Sequence, residues 1–242
     1  MHIETFGLTH TGCVRSNNED ALAIEPSLDM AMVADGMGGA NCGEVASALT
    51  VDVVTAYLRK PPEAGLNADE QLKEAVRAAN RAVWEAAQTR PGCDGMGSTI
   101  VLAHWRESSL WIVNVGDSRA YLWRGGALRQ LSYDQNVGND LRTSLGLSDD
   151  QIRKYPHHNV LTMAIGIGPD VLIRDSHEPL ADRDKVLLCS DGLYGAIGNA
   201  AIAAILAEEA PLPGSAAKLI DAANSAGGPD NITVALLRYY ER

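Results

Sequence analysis

What this 242-residue chain lacks narrows its class before any motif is read. Basic residues are outnumbered, 20 Lys and Arg against 31 Asp and Glu for a formal charge of −11, and no basic block is longer than Arg59-Lys60. The footprint of a nucleic-acid binder is therefore missing. The four cysteines, Cys13, Cys42, Cys93 and Cys189, contain no Cys-x-x-Cys pair. Nothing ahead of them reads as a secretory leader, so all four are expected to be reduced thiols of a cytoplasmic protein. No apolar run approaches the ~20 residues that span a bilayer, and no membrane segment is expected. There is no internal repeat, no low-complexity tract and no stretch composed like a flexible linker. That leaves a single expected domain, 1–242, large enough to bury roughly 70% of its unfolded surface without a disulfide or structural metal. Any metal must then be justified by chemistry.

What is present is a set of short apolar runs: Met30 to Ala34, Thr99 to Ala103, Leu110 to Val115, Val186 to Cys189 and Ile232 to Leu237. Their length and their Val, Ile and Leu content predict strands, and apolar residues on both faces predict burial between layers. Other stretches have the helical period. From Asn67 to Arg90, Leu72, Ala75, Val76, Ala79, Val83 and Ala86 form one stripe, with Asn67 and Glu70 as a helix-start pair. Gly43 to Leu58, Ala200 to Glu209 and Ser215 to Asn224 are similar. Gly116-Asp117 and Gly125-Gly126 read as hairpin turns, which makes Leu110 to Leu131 an expected three-stranded antiparallel meander. Neighbouring strands with no crossover helix argue against a doubly wound parallel sheet. Residues 135–160 are polar and rich in Asn and Asp, with Ser148 and Gln151 at capping-box spacing, and are expected to leave the core as an excursion.

The acidic residues carry the chemistry. "MAMVADGMGG" and "KVLLCSDGL" run apolar strands directly into Asp35-Gly36 and Asp191-Gly192, "GGPDNITVALL" sets Asp230 just before a strand, and "NNEDALAI" does the same with Glu19-Asp20. One Asp-Gly is an ordinary turn dipeptide. Four acidic strand ends need another reason. If they converge on one rim, two unit charges ~5 Å apart at an effective dielectric of ~20 repel by roughly 3 kcal/mol, so the cluster calls for cations. Oxygen donors with no convergent His or Cys favour Mg²⁺ or Mn²⁺ over Zn²⁺, and Asp20, Asp35, Asp191 and Asp230 would balance two such ions. Gly36, Gly38 and Gly39 would let backbone approach them closely. A metal pair roughly 3.5–4 Å apart suits in-line displacement at phosphorus by an activated water. Arg15, whose planar fork grips two oxygens, is the candidate for the substrate phosphate. Asp94, in a second Asp-Gly-Met-Gly, reads as a turn. Cys42 and Cys189, with no base to activate them, read as small apolar packing.

Seven segments in order, "TGCVRSNNEDAL", "MVADGMGGANCGEVAS", "MGSTIVLA", "WIVNVGDSRAYL", "LTMAIG", "LLCSDGL" and "GGPDNITV", resemble the motif series of the phosphatase 2C (PPM) family of metal-dependent serine/threonine protein phosphatases, across residues 7–237. The resemblance, not the composition, implies an α+β fold: a four-layer αββα sandwich of two antiparallel sheets flanked by helices, with a two-metal centre at one rim. It implies that Asp35 bridges both ions, that the Gly36 carbonyl binds one, and that Asp191 and Asp230 complete the other. Glu19 and Asp20 would act mainly through coordinated waters, Arg15 would bind the phosphate, and Asp117 would join Asp191 at a third, weaker ion. Residues 135–160 match the variable flap beside the site.

The implied reaction is hydrolysis of phosphoserine or phosphothreonine in proteins, by attack of a metal-bridging hydroxide with no covalent phosphoenzyme. The implied partners are a phosphorylated protein and a cognate serine/threonine kinase or scaffold, with the enzyme a monomer. "YPHHNVLTMAIG" and the short form look similar to the stand-alone phosphatases that oppose a threonine kinase in bacterial type VI secretion. Three departures stand out. Asp134-Gln135-Asn136 replaces Asp-His-Ser, Met163 replaces an Arg, and Met37 stands where animal members carry a His. Two alternatives stay open on the residues alone: a phosphoprotein-binding regulatory module with weak catalysis, and a metal-dependent phosphodiesterase or small-molecule phosphatase.

Overall fold

The computed structural model describes residues 2–38, 42–61 and 65–241. In chain order the strands and helices are β1 (His2–His10), β2 (Asp20–Glu25), β3 (Met30–Met37), α1 (Cys42–Leu58), α2 (Ala68–Thr89), β4 (Gly97–Ser98), β5 (Ile100–Arg106), β6 (Ser109–Val115), β7 (Arg119–Arg124), β8 (Ala127–Gln130), α3 (Val137–Leu145), α4 (Asp149–Ile152), β9 (Arg174–Pro179), β10 (Lys185–Cys189), α5 (Asp191–Ala207), α6 (Leu212–Ser225) and β11 (Ile232–Tyr240). One sheet has the order β1-β11-β10-β7-β8, the other β2-β3-β5-β6-β9 with β4 added beside β3. Every pairing is antiparallel.

The apolar runs are continuous because both faces of the central strands are covered. Ala31, Val33, Val101, Ala103 and Ile112 point inward to meet Leu122, Val186, Leu188, Ala235 and Leu237 of the facing sheet. The alternate residues Met32, Ala34, Ile100, Leu102 and Val113 pack outward against α1 and α2. On the far side Leu187, Cys189, Val234 and Leu236 pack against α5 and α6. The result is the four-layer αββα sandwich. α2 begins as its sequence predicts, with Asn67 accepting a hydrogen bond from the Glu70 N–H at 2.9 Å. Beside α4 the Gln151 side chain reaches back to the Ser148 N–H at 2.9 Å. α5 starts at Asp191, earlier than the helical period suggested, and is broken at Gly198, whose φ of 70° interrupts the helix.

Two expectations are corrected. The meander fails at Gly116-Asp117: β6 pairs with β5 and β9, whereas β7 pairs with β10 and β8 in the other sheet. That turn carries the chain over the core from one sheet to the next. Of the two expected turns, Gly125-Gly126, both at positive φ, does close a hairpin. Second, Cys42 and Cys93 are not thiols but form a disulfide, with Cα atoms 5.5 Å apart. α1 packs along α2, which brings the first turn of α1 to the loop after α2, a meeting that sequence spacing does not reveal. Cys13 is an exposed free thiol and Cys189 a buried one. Disulfides are rare in reducing compartments, so this bridge pulls against the expected cytoplasmic setting. Among the described residues no helix is long and apolar enough to cross a membrane.

The bridge closes a loop across a sequence separation of 51 residues, which in the chain-entropy account restrains the unfolded state by about 4 kcal/mol. Chemical denaturation with and without dithiothreitol should show the reduced protein less stable by an amount of that order. Native-state alkylation should label Cys13 but spare Cys42 and Cys93, and free labelling of either would contradict the bridge.

Candidate metal centre

The two sheets each deliver acidic strand ends to one rim. In the antiparallel register of β2 and β3, Asp20 lies directly opposite Asp35, a position in which cross-strand side chains stand ~5 Å apart. In the other sheet β10 and β11 are neighbours. Asp191 follows β10 as the first residue of α5, and Asp230 precedes β11. Hydrogen bonds tie the two sheets together here. The Ser190 hydroxyl donates to Asp20 Oδ2 at 2.7 Å and the Thr233 hydroxyl donates to the same oxygen at 2.6 Å. A carboxylate from one sheet is thus clamped by hydroxyls from the other.

Backbone packing completes the wall. The Glu19 carbonyl accepts from the Gly36 N–H at 3.1 Å and from the Ser47 hydroxyl at 2.5 Å, while its N–H donates to Asn231 Oδ1 at 2.8 Å. The Asp35 N–H donates to the Thr99 hydroxyl at 2.9 Å. Gly36 is required by space rather than by φ, because a Cβ there would lie 2.0 Å from the Gly43 carbonyl oxygen and 2.6 Å from that of Glu19. Gly39 lies outside the described residues. Arg15, exposed, holds Asp230 Oδ2 at 2.7 Å, and the other oxygen of Asp230 accepts from the Asn231 N–H at 2.8 Å. Asp117 sits at the sheet-to-sheet turn. Its Oδ2 accepts from Asn136 Nδ2 at 3.0 Å, and its carbonyl accepts from the Tyr194 hydroxyl at 3.0 Å.

The charges press on one another. Burial first, then Asp20, Asp191, Asp117 and Asp230, hold the Asp35 carboxyl well above the usual carboxylate range. Burial, then Asp230 and Asp20, lifts Asp191 to about 6. Burial lifts Asp20 to about 6 although Thr233 and Ser190 stabilise its charge, and burial with the field of Asp191 lifts Asp117 to about 7. These mutual effects show that Asp20, Asp35, Asp117, Asp191 and Asp230 share one neighbourhood. Two oxygens in it, Asp20 Oδ1 and Asp191 Oδ1, are buried with no hydrogen-bond partner. An orphaned buried carboxylate oxygen is costly, and hard anionic oxygens facing one rim fit divalent cations of the Mg²⁺ or Mn²⁺ kind. Among the described residues no three acidic, His or Cys side chains already stand in the tight cluster of a closed metal cage. Asp20, Asp117 and Asp230 lean instead on donors of their own, Ser190 with Thr233, Asn136 and Arg15.

All of the predicted site residues except the solvent-facing Arg15 are at least half-buried at this rim, and Arg15 reaches it through Asp230. Asp94 is an exposed turn residue. Burial pushes the Cys189 thiol up, in keeping with inert packing. Ser190, Thr233, Asn231 and Thr99 join the site from outside the residues that the sequence marks. The Asn-Ile-Thr after Asp230 offered a signal, being polar at alternate positions of an apolar strand. The departures at Gln135 and Asn136 turn out to be wired in. Gln135 Oε1 accepts from the Gly116 N–H at 2.8 Å, its amide donates to the Leu172 carbonyl at 2.8 Å, and Asn136 caps α3 through the Asn139 N–H.

Comparison with known proteins agrees with this geometry. A family model described as protein phosphatase 2C matches residues 13–233. The serine/threonine phosphatase Stp of Listeria innocua is 35% identical over 98% of this chain and 95% of its own. Among solved structures, the catalytic domain of the serine/threonine protein phosphatase PstP in complex with two manganese ions superposes with a TM-score of 0.87 at 30% identity, covering 99% of each chain. PppA, a key regulatory component of the type VI secretion system in Pseudomonas aeruginosa, gives 0.84 at 30% identity, again over 99% of each chain. The chain belongs to the protein phosphatase 2C family.

Proposed function

We propose that this protein hydrolyses phosphoserine and phosphothreonine esters in other proteins, with two Mn²⁺ or Mg²⁺ ions at the acidic rim. The observation that carries the reading is the pair of orphaned oxygens on Asp20 and Asp191, delivered from opposite sheets to one place. Asp35, the Gly36 carbonyl, Asp191 and Asp230 would hold the pair, with Glu19 and Asp20 acting through water, and Asp117 with Asp191 would offer a third position. When bound, such ions supply an activated water and offset the charge that builds on the phosphoryl oxygens.

The chain's own side chains do the rest. Ser190 and Thr233 fix the Asp20 carboxylate and so keep its free oxygen aimed at the rim. Arg15 is exposed and, among the described residues, is held at Asp230, so its fork can turn to the phosphate of an incoming substrate. Met37, where animal members carry a His, cannot supply a proton to the leaving alkoxide, so that proton must come from water. A binding module without catalysis is disfavoured because every ligand position is filled by a suitable donor. A phosphodiesterase or small-molecule phosphatase would show itself by preferring those substrates over a phosphoprotein.

With that activity the enzyme belongs in the cytoplasm, where kinases draw the ATP that makes its substrate, even though the Cys42–Cys93 bridge points the other way; a single-domain monomer would suffice for it. An opposing serine/threonine kinase or its scaffold is the natural substrate to try, and the likeness to PppA makes a type VI secretion kinase the first choice.

With p-nitrophenyl phosphate or a phosphothreonine peptide, EDTA or Asp35→Asn should lower turnover by about 10³-fold, the several kcal/mol that the ions contribute. Equal turnover in all conditions would remove the mechanism. Arg15→Ala should raise KM for the peptide by about tenfold, the worth of a charge-assisted pair, and leave metal affinity near its original value by calorimetry. The third test concerns pH. In the fold Asp20 and Asp191 titrate at about 6 and Asp117 at about 7, above the roughly 3.9 of an unfolded aspartate. Between about pH 4 and 7 the folded state therefore holds more protons than the unfolded chain, and stability without metal falls as pH rises through that window. Thermal unfolding in EDTA should show a lower midpoint at pH 8 than at pH 5, with Asp191→Asn above wild type at pH 8. A midpoint that climbs across the window would contradict this.

A further inference from the structure

Beside the acidic rim runs an apolar groove of about 390 Å³ that phosphate chemistry does not use, lined by Met37, Val160, Met163, Ala164 and Ile167, with Asp170 at one end. Chain geometry ties it to Asp35. Met37 lies two residues beyond Asp35 on β3, so the two side chains leave the strand on the same face, ~7 Å apart along it. The floor is β4, whose Gly97 pairs with Met37. Met37 Cε and Ile167 Cδ1 converge there so closely that a Cβ on Gly97 would lie 2.8 and 3.0 Å from them. Ser98 joins groove to site: its hydroxyl donates to the Asp35 carbonyl at 3.1 Å, and its backbone bridges to Ile165.

Folding alone does not account for this surface. Val160 and Ile167 keep 50% and 53% of their surface exposed, beside partly exposed Met37 and Met163, and a contiguous apolar patch beside a functional rim marks a binding surface. Methionine is unbranched and polarizable, which suits a wall that must fit side chains of varied shape. Met163 adds a second methionine to that wall. Among the described residues Asp170 is the one charged side chain lining the groove, and with a chain charge of −11 an acidic occupant is repelled.

We propose that this groove receives an apolar side chain of the substrate protein, two residues along the chain from the phosphoserine or phosphothreonine. The inference rests on the phosphatase reading, since the occupant is placed relative to the phosphate. An extended peptide advances ~3.3 Å per residue and returns a side chain to the same face every second residue, so one placed two positions from the phosphorylated residue falls ~7 Å away. That is the spacing from Asp35 to Met37.

The test compares phosphothreonine peptides that carry Leu or Ser at the positions two residues on either side, with p-nitrophenyl phosphate as a substrate too small to reach the groove, all with Mn²⁺. Wild type should favour the Leu peptide in kcat/KM by about tenfold or more, the usual discrimination of an apolar pocket. Ile167→Asp and Val160→Asp change exposed residues. Each should erase most of that preference and leave p-nitrophenyl phosphate turnover as it was. Equal turnover of Leu and Ser peptides by wild type, or a loss on p-nitrophenyl phosphate as large as the loss on peptide, would overturn the groove while sparing the phosphatase reading. No turnover of p-nitrophenyl phosphate by wild type would overturn the phosphatase reading itself.

Discussion

Everything in this fold is arranged around mutual repulsion among carboxylates that the sandwich forces together. Asp20 and Asp35 face each other across one pair of strands, and Asp191 and Asp230 arrive from the neighbouring ends of two strands in the opposite sheet. Such a concentration of negative charge in a partly buried rim is a standing cost. It is tolerated because the four-layer core behind it is extensive, with both faces of the central strands sealed by helices. The hydroxyls of Ser190 and Thr233 meet Asp20 across the sheet boundary, so the site also serves as a stitch between the two sheets.

The turn at Gly116-Asp117 links the flap to this rim. Asn136 caps α3 and at the same time donates to Asp117, and Gln135 grips Gly116 from the same segment. One side chain, Asn136, thus ties a carboxylate beside Asp191 to the first helix of the flap. The apolar groove completes the picture on the other side, where residues 160–167 are fastened to β4 by the bridge between Ser98 and Ile165. Segments 135–160 and 160–170 are thus both anchored on residues that contact the acidic site.

Much of this was legible in the sequence, for identifiable reasons. The central strands could be read because burial on both faces makes them continuous in apolar residues, and α2 because one stripe and one cap agree. The acidic residues of the rim could be read because an Asp-Gly interrupts such a strand abruptly. β1 and β9 are edge strands that carry no apolar run: β1 mixes polar with apolar residues, and β9 is polar from Arg174 to Glu178. α3 lies inside the polar excursion 135–160, where no apolar stripe marks a helix and the one capping signal, Ser148 with Gln151, falls beyond it. The passage at Gly116-Asp117 was mistaken for a hairpin because local turn chemistry does not say which sheet receives the next strand. The Cys42–Cys93 bridge depends on how two helices pack. The roles of Ser190, Thr233 and Asn136 appear only once strands far apart in sequence share a rim.

The central claim is that these acids form one cation site. Anomalous diffraction from a crystal soaked in Mn²⁺ tests it most directly. The account predicts two strong peaks between Asp35, Asp191 and Asp230, with Glu19 and Asp20 facing them through water. Peaks on a different face of the molecule, or none at saturating metal, would contradict it.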